Sequence, residues 1–215
     1  MIKLVIFDCD GVLVDSETIA NRILAKHVSA AGWPMDGETS LKHFKGLSMT
    51  QVCEALSSHL GRHIPRDWLV TFEADLFSTL RKDVKVIDGV FDLIGRLAQR
   101  NILTAVASQG SLEKMHTTLG ATGLLPLFEG QLFSAAMVAR PKPAPDLFLK
   151  TAQTLAVDPK HCAVIEDSLT GIKAAITAKM TTIAYDPNQG NFSQQARALS
   201  SAVISVKSMD ELFPV

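Results

Sequence analysis

Two carboxylates, Asp8 and Asp10, stand one residue apart at the end of the apolar run Ile2-Lys3-Leu4-Val5-Ile6-Phe7, and Gly11 follows them. Paired acids can bind a divalent cation through oxygen, attack an electrophile or carry a proton. Side chains alternate along a strand, but Asp10 already stands at the turn into Gly11, so both acids can face one crevice. The plainer reading is a polar strand end, with Asp15 and Ser16 capping the next helix. Ser108 follows another apolar run and precedes Gln109-Gly110-Ser111, where a helix starts. A hydroxyl beside backbone N–H groups at a helix N-terminus suits an anionic oxygen, although a serine there is also an ordinary turn residue. In Arg140-Pro141-Lys142-Pro143-Ala144-Pro145-Asp146 the prolines restrict where one ammonium can reach, and prolines also start helices. Glu166 and Asp167 end the run Ala163-Val164-Ile165. Adjacent acids usually mean solvation or a cap; at the carboxyl end of a buried strand they are costly unless a cation or donors offset them.

Hydrophobic periodicity gives the elements that must present these groups. The first run shows no alternation, as expected of a strand buried on both faces of a parallel sheet. Further strands are expected at 103–107, 128–133, 162–165 and 181–185, with an edge strand at 202–206. Helices are expected at 89–100, 111–119, 145–156 and from 168 to 179, a loop around Asn191-Phe192-Ser193, and a terminal turn at 209–213. Residues 17–81 interrupt this alternation with four amphipathic helices. The first runs over 17–31 and stops at Gly32; the second is short, around 41–45, closed by Gly46. The third follows a capping box at Ser48-Met49-Thr50-Gln51, and the fourth follows Pro65 with the stripe Leu69, Phe72, Leu76 and Leu80. The expectation is an α/β protein: a Rossmann-like three-layer α/β/α sandwich with a mostly parallel sheet from residues 1–15 and 83–215, and an inserted four-helix cap at 16–82. The crossings near 14–16 and 82–86 would act as hinges.

A length of 215 residues, 47% hydrophobic and 20% charged, describes an ordinary globular chain. A net charge of −1 offers no basic field for nucleic acid or an anionic membrane, and no apolar run approaches a membrane span. The N-terminus goes straight into a strand, with no signal-peptide pattern. Cys9, Cys53 and Cys162 are odd in number and far apart, which points to a reducing compartment and against a zinc site. Gly61 lies between His59 and His63 and Pro65 lies just beyond them, so that pair reads as surface rather than metal site. A cytoplasmic protein, with a monomer favoured, is expected.

The stretch Asp8-Cys9-Asp10-Gly11-Val12-Leu13-Val14-Asp15-Ser16 resembles the first motif of the haloacid dehalogenase superfamily. Ser108, Lys142-Pro143-Ala144-Pro145 and Glu166-Asp167-Ser168 with Gly171 resemble its other three motifs, in the same order. The resemblance implies phosphoryl transfer through an aspartyl-phosphate on Asp8, with Asp10 as acid and base. It also implies Ser108 and Lys142 around the phosphate, with Cys9 and Gln109 as further phosphate contacts. Mg²⁺ would be held by Asp8, the carbonyl of Asp10, Asp167 and Glu166. The first motif and the helical insert together resemble the branch that holds β-phosphoglucomutase, phosphoglycolate phosphatase and sugar-phosphate phosphatases. Phe44-Lys45-Gly46-Leu47-Ser48-Met49 resembles the mutase's specificity loop, but Met49 replaces its phosphate-binding arginine and Ala20 its cap-linked histidine. A phosphatase of a small phosphorylated metabolite is therefore expected, such as a sugar phosphate or phosphogluconate, with Lys45 touching the substrate's polar end. A phosphohexomutase is the alternative. A phospho-accepting receiver domain is the alternative from another class, but its acceptor lies in a middle strand and it lacks a helical insert.

Overall fold

The computed structural model of the protein describes residues 1–44, 47 and 49–213. The chain divides into two compact units, Met1–Asp15 with Lys85–Val215, and Ser16–Val84.

The strands of the first unit are β1 (Leu4–Phe7), β2 (Val14–Asp15), β3 (Lys85–Val86), β4 (Leu103–Ser108), β5 (Leu132–Ser134), β6 (Cys162–Glu166), β7 (Thr181–Tyr185) and β8 (Ile204–Val206). Six of them form one sheet in the order β5-β4-β1-β6-β7-β8, every neighbouring pair parallel. β1 and β6 are buried along their whole length, which is why their sequences are continuous apolar runs. Leu4, Ile6, Ala105, Ala107 and Val164 pack on one side against Leu147, Phe148, Ala152, Ala174, Ala175 and Ala178. On the other side Phe7 meets Phe128 edge-on, ring centroids 6.0 Å apart. Helices on both faces make this a Rossmann-like three-layer α/β/α sandwich. After β1 the strands fill one side of it with β4 and β5, then return to fill the other with β6, β7 and β8, so the order reverses at β1. Ligands of open α/β sheets bind outside the carboxyl ends of the strands at such a reversal.

The second unit holds helices α1 (Glu17–Ala31), α2 (Gly37–Phe44), α3 (Met49–Leu60) and α4 (Arg66–Asp83). Their apolar stripes converge on one core containing Ile19, Ile23, Val28, Phe44, Val52, Leu56, Phe72 and Leu80. Helix α2 begins earlier than its periodicity suggests, because Asp36 accepts the Thr39 backbone N–H at 2.8 Å and caps the turn there. The expected end of this helix at Lys45 and Gly46, and the capping serine Ser48, lie outside the described residues.

The remaining helices are α5 (Val90–Gln99), α6 (Leu112–Ala121), α7 (Asp146–Thr154), α8 (Leu169–Thr177) and α9 (Asn191–Leu199). Helix α9 replaces the expected loop. Asp186 organises its start, accepting from Gly190 N at 3.2 Å and from Ser193 N and Oγ at 3.1 and 2.7 Å, while Ala196 is buried. The strand expected at 128–133 is instead a 3-10 turn at Leu125–Phe128 followed by β5. Pro126 opens that turn, and Gly130 at φ 72° turns the chain toward β5. Also unforeseen is the antiparallel ribbon in which β2 and β3 pair Val14 with Val86 and Asp15 with Lys85.

Candidate active site

Sheet register assembles the site. Phe7 is level with Val106 on one neighbour and Ile165 on the other. Asp8 therefore emerges beside Glu166 and one residue short of the level of Ser108, and its N–H donates to Ile165 O at 3.0 Å. Beyond it the chain folds back tightly: Leu13 N and Val14 N both donate to Cys9 O, and Gly11 N donates to Val14 O. Gly11 sits at φ 79°, and a Cβ there would lie 2.0 Å from Asp167 Oδ2. Glycine is thus required twice over, by the backbone and by the carboxylate above it.

Lys142 is the buried cation of the cluster, 4% exposed. Its Nζ donates to Asp8 Oδ1 at 2.7 Å, forms a very short contact with Glu166 Oε1, and lies 4.8 Å from the Phe148 ring centroid. Burial alone would lower its pKa, but Asp8 and Glu166 outweigh that and raise it, so it stays charged. The rigid segment that carries it is braced by a two-point pair from Arg140 to Asp146, at 3.0 and 2.9 Å. The second oxygen of Glu166 accepts from Ser168 N and Oγ at 3.1 and 2.8 Å, so this fully buried carboxylate has donors on both sides. Its space exists because residue 171 is glycine: an added Cβ would lie 1.9 Å from Glu166 Cδ.

Burial pushes the Asp8 carboxyl up to about 7; Lys142 pulls it down, and Glu166 and Asp10 push it further up. Asp8, Glu166 and Asp167 each offer an oxygen within 4.8 Å of the others. Such an all-oxygen acidic set around one lysine fits a hard divalent cation such as Mg²⁺.

Ser108 is buried, and its Oγ accepts Gly110 N at 3.0 Å, while Ser134 Oγ donates to Gly110 O at 2.7 Å. This pins the turn between β4 and α6. Gln109 Nε2 donates to Lys142 O at 3.3 Å, tying that turn to the lysine segment. The Cys9 side chain is buried and points to Thr118 Oγ1, 3.9 Å away, so a phosphate contact from this residue is a matter for its backbone N–H. Burial also pushes its thiol well above the usual range. Lys45 lies outside the described residues.

Sequence reasoning missed Lys114, whose Nζ lies 2.8 Å from Asp10 Oδ1. A lysine in the first turn of a helix, against the dipole, was the available signal.

Residues 2–179 match the description of the haloacid dehalogenase-like hydrolases. The chain is 28% identical over 190 residues to the 6-phosphogluconate phosphatase of Escherichia coli K12, covering 87% of this chain and 85% of that one. A conserved haloacid dehalogenase-like protein from Agrobacterium tumefaciens superposes with a TM-score of 0.83 at 30% identity, covering 99% and 96% of the two chains. A hydrolase of the same family from Deinococcus radiodurans, solved with bound phosphate and sodium, gives 0.81 at 28% identity over 98% and 93%. Match and neighbours span both the sheet and the helical insert, which separates the chain from receiver domains. The chain belongs to the haloacid dehalogenase-like hydrolases.

Proposed function

We propose that this hydrolase is a Mg²⁺-dependent phosphatase of a small phosphorylated metabolite, a sugar phosphate or sugar acid phosphate such as phosphogluconate, acting through an aspartyl-phosphate on Asp8. The observation that carries the reading is Asp8 at the end of β1, gripped by Lys142 and grouped with Glu166 and Asp167. Likeness to a 6-phosphogluconate phosphatase supports the substrate class.

Asp8, Asp167, Glu166 and the Asp10 carbonyl would hold the Mg²⁺, which offsets the repulsion between an anionic carboxylate and an anionic phosphate. Asp8 oxygen forms a bond to phosphorus as the ester P–O bond breaks, and Asp10 gives the leaving oxygen its proton. Water then attacks the phosphorus, Asp10 takes the proton back, and the Asp8–phosphate bond breaks to release phosphate. Lys142 and the Ser108 turn spread the charge of the transferring group. Ser16–Val84 is proposed as a substrate-selecting cap, with Lys45 carried as its expected substrate contact.

The test is a phosphate-release screen over sugar phosphates, 6-phosphogluconate, phosphoglycolate and nucleotides with Mg²⁺. Release from sugar or sugar-acid esters is expected. Release confined to nucleotides refutes the substrate class, and conversion of β-glucose 1-phosphate to glucose 6-phosphate with a bisphosphate activator would make it a mutase.

A further inference from the structure

Lys114 is a second ammonium at this site, and the mechanism above leaves it without a task. It lies in the first turn of α6, where Ser111 Oγ accepts its backbone N–H at 3.1 Å. A cation there faces the positive end of the helix dipole, which is unfavourable, so its position calls for a compensating anion. That anion is Asp10, whose Oδ1 lies 2.8 Å from Nζ, with the two side chains only 23% and 21% exposed for Lys114 and Asp10. A Cβ added at Gly110 would meet Ser108 Oγ at 3.3 Å, Lys114 Cδ at 3.5 Å and Asp10 Oδ2 at 3.6 Å. Hydroxyl, lysine stem and the other carboxylate oxygen therefore border one small space that glycine keeps open. Each acid of the Asp8–Asp10 pair has its own lysine: Lys142 for the first, Lys114 for the second.

We propose that Lys114 is the positioning residue of Asp10: it ties Oδ1, so that Oδ2 is presented to the space beside Ser108 and Gly110. The terminal torsion of an aspartate is broad and roughly two-fold, and the Lys114 ion pair narrows it toward the orientation from which Oδ2 can pass a proton to the ester or water oxygen. The inference rests on the phosphatase reading, with Asp10 as acid and base.

The test is pre-steady-state kinetics of the full chain with Mg²⁺, comparing wild type, Lys114→Met and Lys114→Arg. p-Nitrophenolate leaves without being protonated, so the p-nitrophenyl phosphate burst in Lys114→Met is expected within about threefold of wild type, while hydrolysis of the phosphoenzyme slows about ten- to a hundredfold. With an alkyl phosphate both steps slow. Inhibition by inorganic phosphate stays within about twofold, Lys114→Arg recovers most of the loss, and Lys114→Met adds nothing on an Asp10→Asn background. Should Lys114→Met unfold, Lys114→Gln carries the same comparison. Equal slowing of burst and hydrolysis with weakened phosphate inhibition would make Lys114 a direct phosphate ligand and overturn the proposal. Multiplying losses in the double variant, or unchanged rates, would do so too. A wild type that releases phosphate from no ester would instead defeat the phosphatase reading, and this inference with it.

Discussion

Gly171→Ala separates two opposed expectations. Helix propensity favours alanine over an interior glycine by up to about 1 kcal/mol, so from sequence alone the change should stabilise α8. The structure says otherwise. The new Cβ would lie 1.9 Å from Glu166 Cδ and Oε1 and 2.4 Å from Oε2, so the carboxylate has to leave its place. It would leave behind Lys142 and the Ser168 donors, in a region where the Lys142 and Glu166 side chains are each 1% exposed. Breaking a buried ion pair so that a charge is stranded costs about 3–5 kcal/mol. Subtracting the propensity gain leaves a net destabilisation of about 2–4 kcal/mol, a fall of about 5–15 °C in Tm for a chain of this size. Urea denaturation followed by circular dichroism reads it directly. On a Glu166→Ala background the overlap is gone, and Gly171→Ala should be neutral or slightly stabilising. A single variant within about 0.5 kcal/mol of wild type, a typical surface effect, would refute the reasoning.

Asp8→Asn should lower phosphate release by about four orders of magnitude or more while the fold persists; wild-type rates in that variant would remove the covalent route. In chelator, the raised Asp8 pKa means that the folded protein binds this proton more tightly than the unfolded chain. Stability should therefore fall as pH rises from about 4 to about 7, checked by urea midpoints across that range, with a shallower slope in Asp8→Asn. Equal slopes in the two proteins would contradict it. Mg²⁺ should raise the thermal midpoint of the wild type, and Asp167→Asn should lose most of that rise, measured without substrate by scanning calorimetry. Gly11→Ala should lose activity and stability together, since its φ of 79° and its contact with Asp167 both exclude a Cβ.

Much of the framework of the candidate site is local and so readable in the chain. β1 announces itself as an apolar run stopped by two acids, and Lys142 is marked by the prolines around it. Features that depend on distant partners are not. Helix α9 fully buries only Ala196, and it is started by Asp186, five residues before its first turn. Lys114 carries only the faint mark of a cation in a first helical turn, and its partner shows only once α6 is docked and Asp10 stands beside its end. The requirement for glycine at 171 is a matter of which carboxylate occupies the space above it, and spacing does not show that. A two-residue ribbon such as β2–β3 is too short to have a period at all.

That ribbon has a consequence for the architecture. Because Val14 faces Val86 and Asp15 faces Lys85, the points where the helical insert departs and returns are one strand spacing apart. To the sheet, the whole of Ser16–Val84 is topologically a hairpin loop, and the entropy of closing a loop rises only logarithmically with its length. Replacing the insert by an Asn-Gly turn should therefore leave a sandwich that still folds, and inserts of other sizes can be exchanged at this seam without redesigning the strands beneath it.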